Sequence, residues 1–252
     1  MNIRRMSWLL GGAYAVLLGC GGGGAAVKKP AATPKPTPTE ELPTRDPEPD
    51  DGLQVEGLLG SIDMYQVNRA IERVGTQITD CQSKNIGKLW YIGGTLTMKF
   101  RIARDGAVKS VAPVESDVGS YAIEKCVLDL VSALDYGKPR GGEAEFSLPI
   151  QFEARTSTGS WDEDRVTAAL RAVKTFAADM AECRKATPPG AKLPAHSMTL
   201  YVAPGGKVTS AGFSGDGIVP EPYALCVVEK AKLWKLSDTG GEIVKAAWVV
   251  NK

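Results

Sequence analysis

The chain has 252 residues, of which 43% are hydrophobic, and its 30 basic and 29 acidic side chains nearly cancel to a net charge of +1. With this balance and no long basic run, the composition gives no reason to expect binding to nucleic acid. The single histidine also argues against a histidine-rich metal centre.

The N-terminus has the pattern of a bacterial export signal. Two arginines precede an apolar stretch from Met6 to Leu18, which is shorter than the roughly 20 residues that span a bilayer. Leu17-Leu18-Gly19-Cys20 then resembles the lipobox that a lipoprotein signal peptidase recognises. The resemblance implies a signal peptide over residues 1–19 and a mature chain that begins with a lipidated Cys20. An ordinary secretory signal with a cysteine nearby by chance is the alternative.

Lipidation of Cys20 predicts a location in the cell envelope, because two or more acyl chains anchor a protein firmly. Gly21 is not the aspartate that retains enterobacterial lipoproteins at the inner membrane. We therefore expect an outer-membrane lipoprotein that faces the periplasm or the cell surface. Residues 20–59 are rich in glycine and proline and poor in large apolar side chains, which predicts a disordered, extended linker.

The rest of the sequence contains an internal repeat. A shift of 100 positions aligns Cys126 with Cys226, and a shift of 102 aligns Cys81 with Cys183. Because the order and spacing of the matches agree along the repeat, we expect two copies of one module. The first copy is placed at residues 60–155 and the second at residues 159–252.

Each copy predicts the order helix, strand, strand, helix, strand. Apolar residues three and four apart indicate a first helix from about Ser61 to Cys81. Strict alternation over residues 95–102 (TLTMKFRI) predicts a half-buried strand, and Asp105-Gly106 predicts a hairpin turn. In the second copy, the segment Ser160–Glu163 is expected to be a helix capping box.

The rules for connections between strands predict how these elements are arranged. The hairpin makes the first two strands antiparallel, and a right-handed helical crossover leads to the third. The expected class is α+β, with two tandem α-β-β-α-β modules. Each module is predicted to hold a three-stranded sheet of order 2-1-3 with two helices on one face.

Four cysteines remain once Cys20 is assigned to lipid, and an exported protein is expected to pair them. Cys81 lies at the end of the first predicted helix and Cys126 at the start of the second, both on buried faces. A bridge between them is therefore predicted, and Cys183 and Cys226 are expected to pair in the same way. Bridges between the copies and free buried thiols are the alternatives.

Residues 94–111 (GTLTMKFRIARDGAVKSV) resemble the TonB C-terminal fold. They more closely resemble the domain at the C-termini of the myxobacterial proteins AgmX and PglI, which are linked to gliding motility. That family's F-x-I-x-x-x-G-x-V core matches Phe100, Ile102, Gly106 and Val108, within a resemblance over about residues 65–152. The resemblance implies an interaction domain of an envelope complex, such as gliding-motility or TonB-like machinery, rather than an enzyme.

No motif predicts catalysis, a metal or a cofactor. His196 stands in the place of Leu96, where a partly buried structural histidine is expected. The segment Gly212–Asp216 (GFSGD) lacks the last glycine of a serine-hydrolase elbow. We therefore expect a non-catalytic protein with no catalytic residues.

Partner docking is predicted at the last strand of the second copy, which has no proline, whereas Pro149 blunts the corresponding strand of the first copy. A partner is expected to add a strand to this open edge. The residues predicted for this edge are Glu242, Val244, Lys245, Ala247 and Val249. The alternative function is binding of peptidoglycan or a small ligand through Trp161, Trp234 and Trp248, and a purely structural spacer is a third reading.

Overall fold

The structure is a computed structural model that describes residues 59–251; the predicted signal peptide, Cys20 and almost all of the predicted linker lie outside the described residues. The helices are α1 (Met64–Arg73), α2 (Gly75–Ile86), α3 (Tyr121–Ser132), α4 (Glu163–Ala172), α5 (Phe176–Lys185) and α6 (Glu221–Ala231). The strands are β1 (Gly94–Ile102), β2 (Val108–Ser116), β3 (Ala144–Phe152), β4 (Gly159–Trp161), β5 (His196–Ala203), β6 (Lys207–Gly215) and β7 (Val244–Asn251). This mixture of helices and sheets confirms the α+β class. Among residues 59–251, none of the helices has the length and apolar character needed to cross a bilayer.

The first sheet contains three antiparallel strands in the order β2-β1-β3, as predicted. The alternating residues of β1 explain its position, because one face of the strand is fully buried and the other is polar. The buried face packs against the apolar sides of the helices in one core cluster. The β1 residues in that cluster are Leu96, Met98, Phe100 and Ile102.

The first predicted helix is in fact two consecutive helices in each half of the chain. The N–H group of Val74 donates to Ile71 O at 3.0 Å, which closes a tight turn before α2. The next residue is Gly75, and glycine is a weak helix former, so the break falls where helix propensity is low. In the second half, α4 and α5 are separated by residues 173–175. The prediction of one continuous helix was therefore wrong at this point.

The second sheet has four strands in the order β4-β7-β5-β6, not the predicted three. Strands β6, β5 and β7 repeat the 2-1-3 order, and β4 adds a short parallel pairing along β7. Because Ser160 lies in β4, it does not cap the following helix. The cap is Asp162, whose carboxylate accepts a hydrogen bond from the N–H group of Arg165 at 2.8 Å.

Each half contains one disulfide that joins a helix before the hairpin to the helix after it. Cys81 of α2 is bonded to Cys126 of α3, and Cys183 of α5 is bonded to Cys226 of α6. These are the pairings expected from the sequence, and both alternatives are absent from the described residues. The first bridge holds α3 on the same face of the first sheet as α2.

The first half (residues 59–155) and the second half (residues 159–251) pack together as parts of one compact unit. The side chain of Tyr201, on the outer face of β5, belongs to the core cluster of the first half. Its hydroxyl donates to Gly93 O at 2.8 Å and accepts from the N–H group of Gly93 at 3.2 Å. The outer face of the second sheet is thus an internal contact surface.

Candidate binding groove beside strand β2

Strand β2 is an edge strand of the first sheet. Within the described residues it pairs only with β1, and the register of that pairing skips Lys109 and Val114. Such bulges bend and twist a strand. Pro113 further interrupts the strand's row of N–H donors. The backbone from Val108 to Val111 therefore lies on a curved edge that has no second paired strand among the described residues.

Helix α3 forms the wall opposite this edge. Tyr121, Lys125, Leu128 and Ser132 follow one another at intervals of three and four residues, so they lie along one helical face. The opposite face of α3 is fixed in the core by buried apolar residues and by the Cys81–Cys126 bridge. The wall is consequently anchored on its inner side and accessible on its outer side.

A cleft of about 330 Å³ lies between β2 and α3, and residues of the second half close one end of it. We call this cleft the junction groove. Its apolar lining residues are Val108, Val111, Pro113, Tyr121, Leu128, Phe213, Ile218 and Val219. Ile218 is 58% exposed although it is a large aliphatic residue. The volume lies at the lower end of the range that ligand pockets occupy.

The carboxylate of Glu124 lies at the base of the junction groove and is 1% exposed. It accepts hydrogen bonds from Ser116 Oγ at 2.7 Å and from the N–H group of Phe213 at 2.8 Å. Burial raises the pKa of this carboxyl to about 7, although the N–H groups of Ser120 and Gly119 and the two bonds above oppose the shift. Glu124 therefore joins the two halves without a basic partner.

Gly212 allows strand β6 to approach this carboxylate. A Cβ atom at position 212 would lie 2.6 Å from the backbone nitrogen of Ser120 and would also collide with the Glu124 carboxylate. Only glycine fits this approach without movement of the backbone. The contact between the N-terminus of α3 and β6 thus depends on the absence of a side chain.

Charged residues surround the mouth of the junction groove. Lys125 Nζ lies 2.8 Å from Asp129 Oδ2 and 3.6 Å from Glu221 Oε2, so one cation serves two carboxylates. Lys109 Nζ is bonded instead to Glu143 at 2.8 Å, outside the groove. Burial, with the nearby Glu221 carboxylate, raises the pKa of the Tyr121 phenol to about 12, so this ring is neutral.

The edge predicted for docking on β7 is largely covered. Val244 and Lys245 pair with β4, so the prediction of an open edge was wrong at these residues. The Lys245 ammonium donates to Gly93 O at 2.9 Å and lies 3.0 Å from Asp117 Oδ2. Glu242 precedes the strand, and its carbonyl oxygen accepts from Thr239 Oγ1. Of the predicted edge residues, only Ala247 and Val249 lie beyond the end of β4.

The aromatic residues predicted to contact sugars are core residues. Trp161 and Trp234 are buried, and Trp248 is partly buried against Phe176. A tryptophan face that packs in the core is not available to stack on a sugar ring. These three tryptophans therefore form no exposed surface of the kind that the peptidoglycan hypothesis requires.

His196 is a buried structural residue at the start of β5. Its Nδ1 atom lies 2.8 Å from Pro194 O, and its Nε2 atom lies 3.2 Å from the hydroxyl of Tyr223. Burial lowers the pKa of the imidazole, which favours the neutral form. Within residues 59–251, no group of three or more histidine, cysteine, aspartate or glutamate side chains is arranged to hold a metal ion.

Sequence reasoning missed Glu124 and the junction groove. One signal was present, because Glu124 precedes Val127 by three residues and Val131 by seven, which places a charge on the apolar face of α3. The groove itself combines β2 and α3 with residues far away in sequence, so no local pattern predicts it. Comparison with protein-family models, with curated proteins and with solved structures finds no match to this chain.

Proposed function

We propose that this protein is a non-catalytic interaction module of the bacterial cell envelope, held at the membrane by acyl chains on Cys20. In this proposal the junction groove binds an extended segment of a partner protein, which adds a strand to the edge of β2. The observation that carries it is an open strand edge that faces an accessible helix across an apolar cleft. Proteins use this combination of edge and groove to bind peptides, because the edge supplies backbone hydrogen bonds and the cleft receives side chains.

The docking site in this proposal differs from the edge of β7 that the sequence suggested. Strand β4 already pairs with the first residues of β7, whereas β2 has no second hydrogen-bonded strand among the described residues, although part of it lies close to β6. Strand β3 is also an edge, but it carries Pro149. The junction groove lies beside the β2 edge, and Phe213 of β6, the edge strand of the second sheet, also lines it.

Photo-crosslinking of the full-length lipoprotein in intact cells tests this function. A photoreactive amino acid replaces Leu128 in the groove, Ser147 on the exposed part of β3, or Ala247 on β7. We expect adducts of defined mass from position 128 and none from position 147. Adducts from position 247 without adducts from position 128 would move docking to β7 and overturn the assigned site. No adduct at either position would overturn the interaction role.

The membrane anchor has its own test. Replacing Cys20 by alanine removes the thiol that carries the lipid, so cells grown with radioactive palmitate should label the native protein and not the Cys20→Ala protein. Equal labelling of the two proteins contradicts lipidation at Cys20. Labelling of the Ser147 variant supplies the matched control, because that residue is remote from the N-terminus in sequence.

A further inference from the structure

The charged side chains around Lys125, at the mouth of the junction groove, favour a partner that carries a positive charge. Asp129 and Glu221 are 64% and 52% exposed at their side chains, and both lie beside the single ammonium group of Lys125. The other lysine of the lining, Lys109, shares the Glu143 carboxylate with Arg101. The excess of negative charge is therefore local to the part of the mouth around Lys125, where two exposed carboxylates lie beside one cation, and a basic side chain of a partner complements it.

The interior of the groove selects for a different property. Its walls are aliphatic and aromatic, and the one carboxylate at its base, Glu124, already accepts hydrogen bonds from protein donors. A volume of about 330 Å³ is roughly ten times the volume that a water molecule occupies in the liquid. A large apolar side chain fills this space without leaving a polar group unpaired.

The ring of Tyr121 lies between the charged mouth and the apolar interior of the groove. It lines the groove together with Lys125 and Glu221, and it meets the ring of Phe213 edge-on at a centroid distance of 6.0 Å. A neutral phenol ring attracts a cation to its face. A lysine or arginine at the mouth would thus meet a ring face and two carboxylates together.

We propose that the partner segment is an extended peptide that combines a large aliphatic or aromatic side chain with a lysine or arginine a short distance along the strand. The apolar side chain enters between β2 and α3, and the basic side chain lies over Asp129 and Glu221. This inference rests on the proposed function, since it names the chemical class of the segment that the groove binds.

Selection from a phage-displayed library of random nonapeptides tests the inference on the full-length protein in detergent. The expected result is enrichment of peptides that hold an aliphatic or aromatic residue together with lysine or arginine. Enrichment of acidic peptides, of polar peptides without a large apolar residue, or of no sequence class overturns it. The variant Leu128→Asp, which places a charge in the wall, should lose the enrichment altogether.

A matched pair of variants separates the contribution of the charged mouth to affinity from that of the apolar cleft. Asp129→Asn with Glu221→Gln removes both exposed carboxylates, so an enriched basic peptide should bind about fivefold more weakly, as expected for an exposed ion pair. The difference should shrink at high salt. Glu115→Gln, an exposed carboxylate of β2 outside the groove lining, should leave the affinity unchanged. Equal affinity of the double variant and the native protein would overturn the charge argument.

The two proposals fail in distinguishable ways. Crosslinks from position 128 in cells, combined with selection of acidic peptides, would reject the peptide class and leave the interaction role in place. Absence of crosslinks from positions 128 and 247, whatever the selection returns, would reject the interaction role itself.

Discussion

Strands β1 and β5 hold the same place in the strand orders β2-β1-β3 and β6-β5-β7, but their outer faces have opposite environments. On β1 of the first sheet, Lys99 and Arg101 face solvent and pair with Glu145 and Glu143 at 2.9 Å and 2.6 Å. At the equivalent positions of β5, 100 residues later, Thr199 is 4% exposed and Tyr201 is fully buried. The two sheets therefore share a central strand of the same order, but the outer face of that strand is exposed in the first sheet and buried in the second.

The second sheet is therefore covered on both sides. Its inner face packs on its own helices, and its outer face contacts the first half through Tyr201, Thr199 and Ser210. The Ser210 hydroxyl donates to Gly119 O at 2.7 Å, close to the buried Glu124. The first sheet remains polar on its outer face. Four variants test this asymmetry.

Removal of either disulfide should cause the largest loss of stability. The bridges span 45 and 43 residues, and closing loops of this length stabilises a protein by about 4 kcal/mol in the chain-entropy model. Replacing Cys183 and Cys226 by alanine should lower the urea midpoint of the whole unit, because the halves share a contact surface. Tryptophan fluorescence reports mainly the second half, which holds Trp161, Trp234 and Trp248, and circular dichroism reports the whole. Separate transitions for the two probes would contradict a single unit.

Glu124 should make the contact between the halves depend on pH. Because its pKa rises from 4.5 to about 7 on folding, the folded protein holds a proton that the unfolded chain releases between these values. The free energy of unfolding is therefore highest below pH 4.5. It falls as the pH rises to 7, by roughly 3 kcal/mol in total. Glu124→Gln should flatten this dependence in urea titrations between pH 4.5 and 7, whereas Glu221→Gln should retain it. An unchanged slope in Glu124→Gln would contradict the assignment.

Tyr201→Phe should test the buried outer face of β5 directly. The substitution keeps the ring but removes the hydroxyl that bonds to both backbone groups of Gly93, whose N–H group is then left buried without this acceptor. We expect a loss of about 1–3 kcal/mol in the free energy of unfolding, measured by urea denaturation. A change within experimental error would show that the contact between the halves contributes little.

Arg101→Ala, at the position equivalent to Tyr201, should have the smallest effect. The Arg101 side chain is 45% exposed, and its pairing with Glu143 is a surface ion pair. Pairs of this kind contribute about 0.2–1 kcal/mol. The loss should fall within this range and decrease in added salt. A loss equal to that of Tyr201→Phe would remove the asymmetry on which the comparison rests.

The features that could be predicted from sequence are those that leave a local pattern. The alternation from Leu96 to Ile102 identifies β1, and Asp105-Gly106 identifies the hairpin. The strand order of the first sheet then follows from connection rules, and the cysteine positions on buried helix faces give both bridges.

The features that could not be predicted depend on contacts between distant residues. Strand β4 has three residues, too few to show alternation, and its partner β7 lies more than eighty positions away. Tyr201 has the phase of an outward-facing residue, and only the packing of the first half against it makes it a buried residue. The junction groove depends on the same packing, because Phe213 and Val219 close it from the second half.

The Cys81–Cys126 bridge fixes helix α3, the wall of the junction groove, only when these two cysteines are oxidised. Helix α3 carries Cys126 on its inner side and Leu128 on the groove side, so the helix that the bridge cross-links also lines the groove. A newly made polypeptide in a reducing cytoplasm lacks this cross-link. If the protein is exported and binds a partner in this groove as we propose, the wall of the groove receives its cross-link only after secretion.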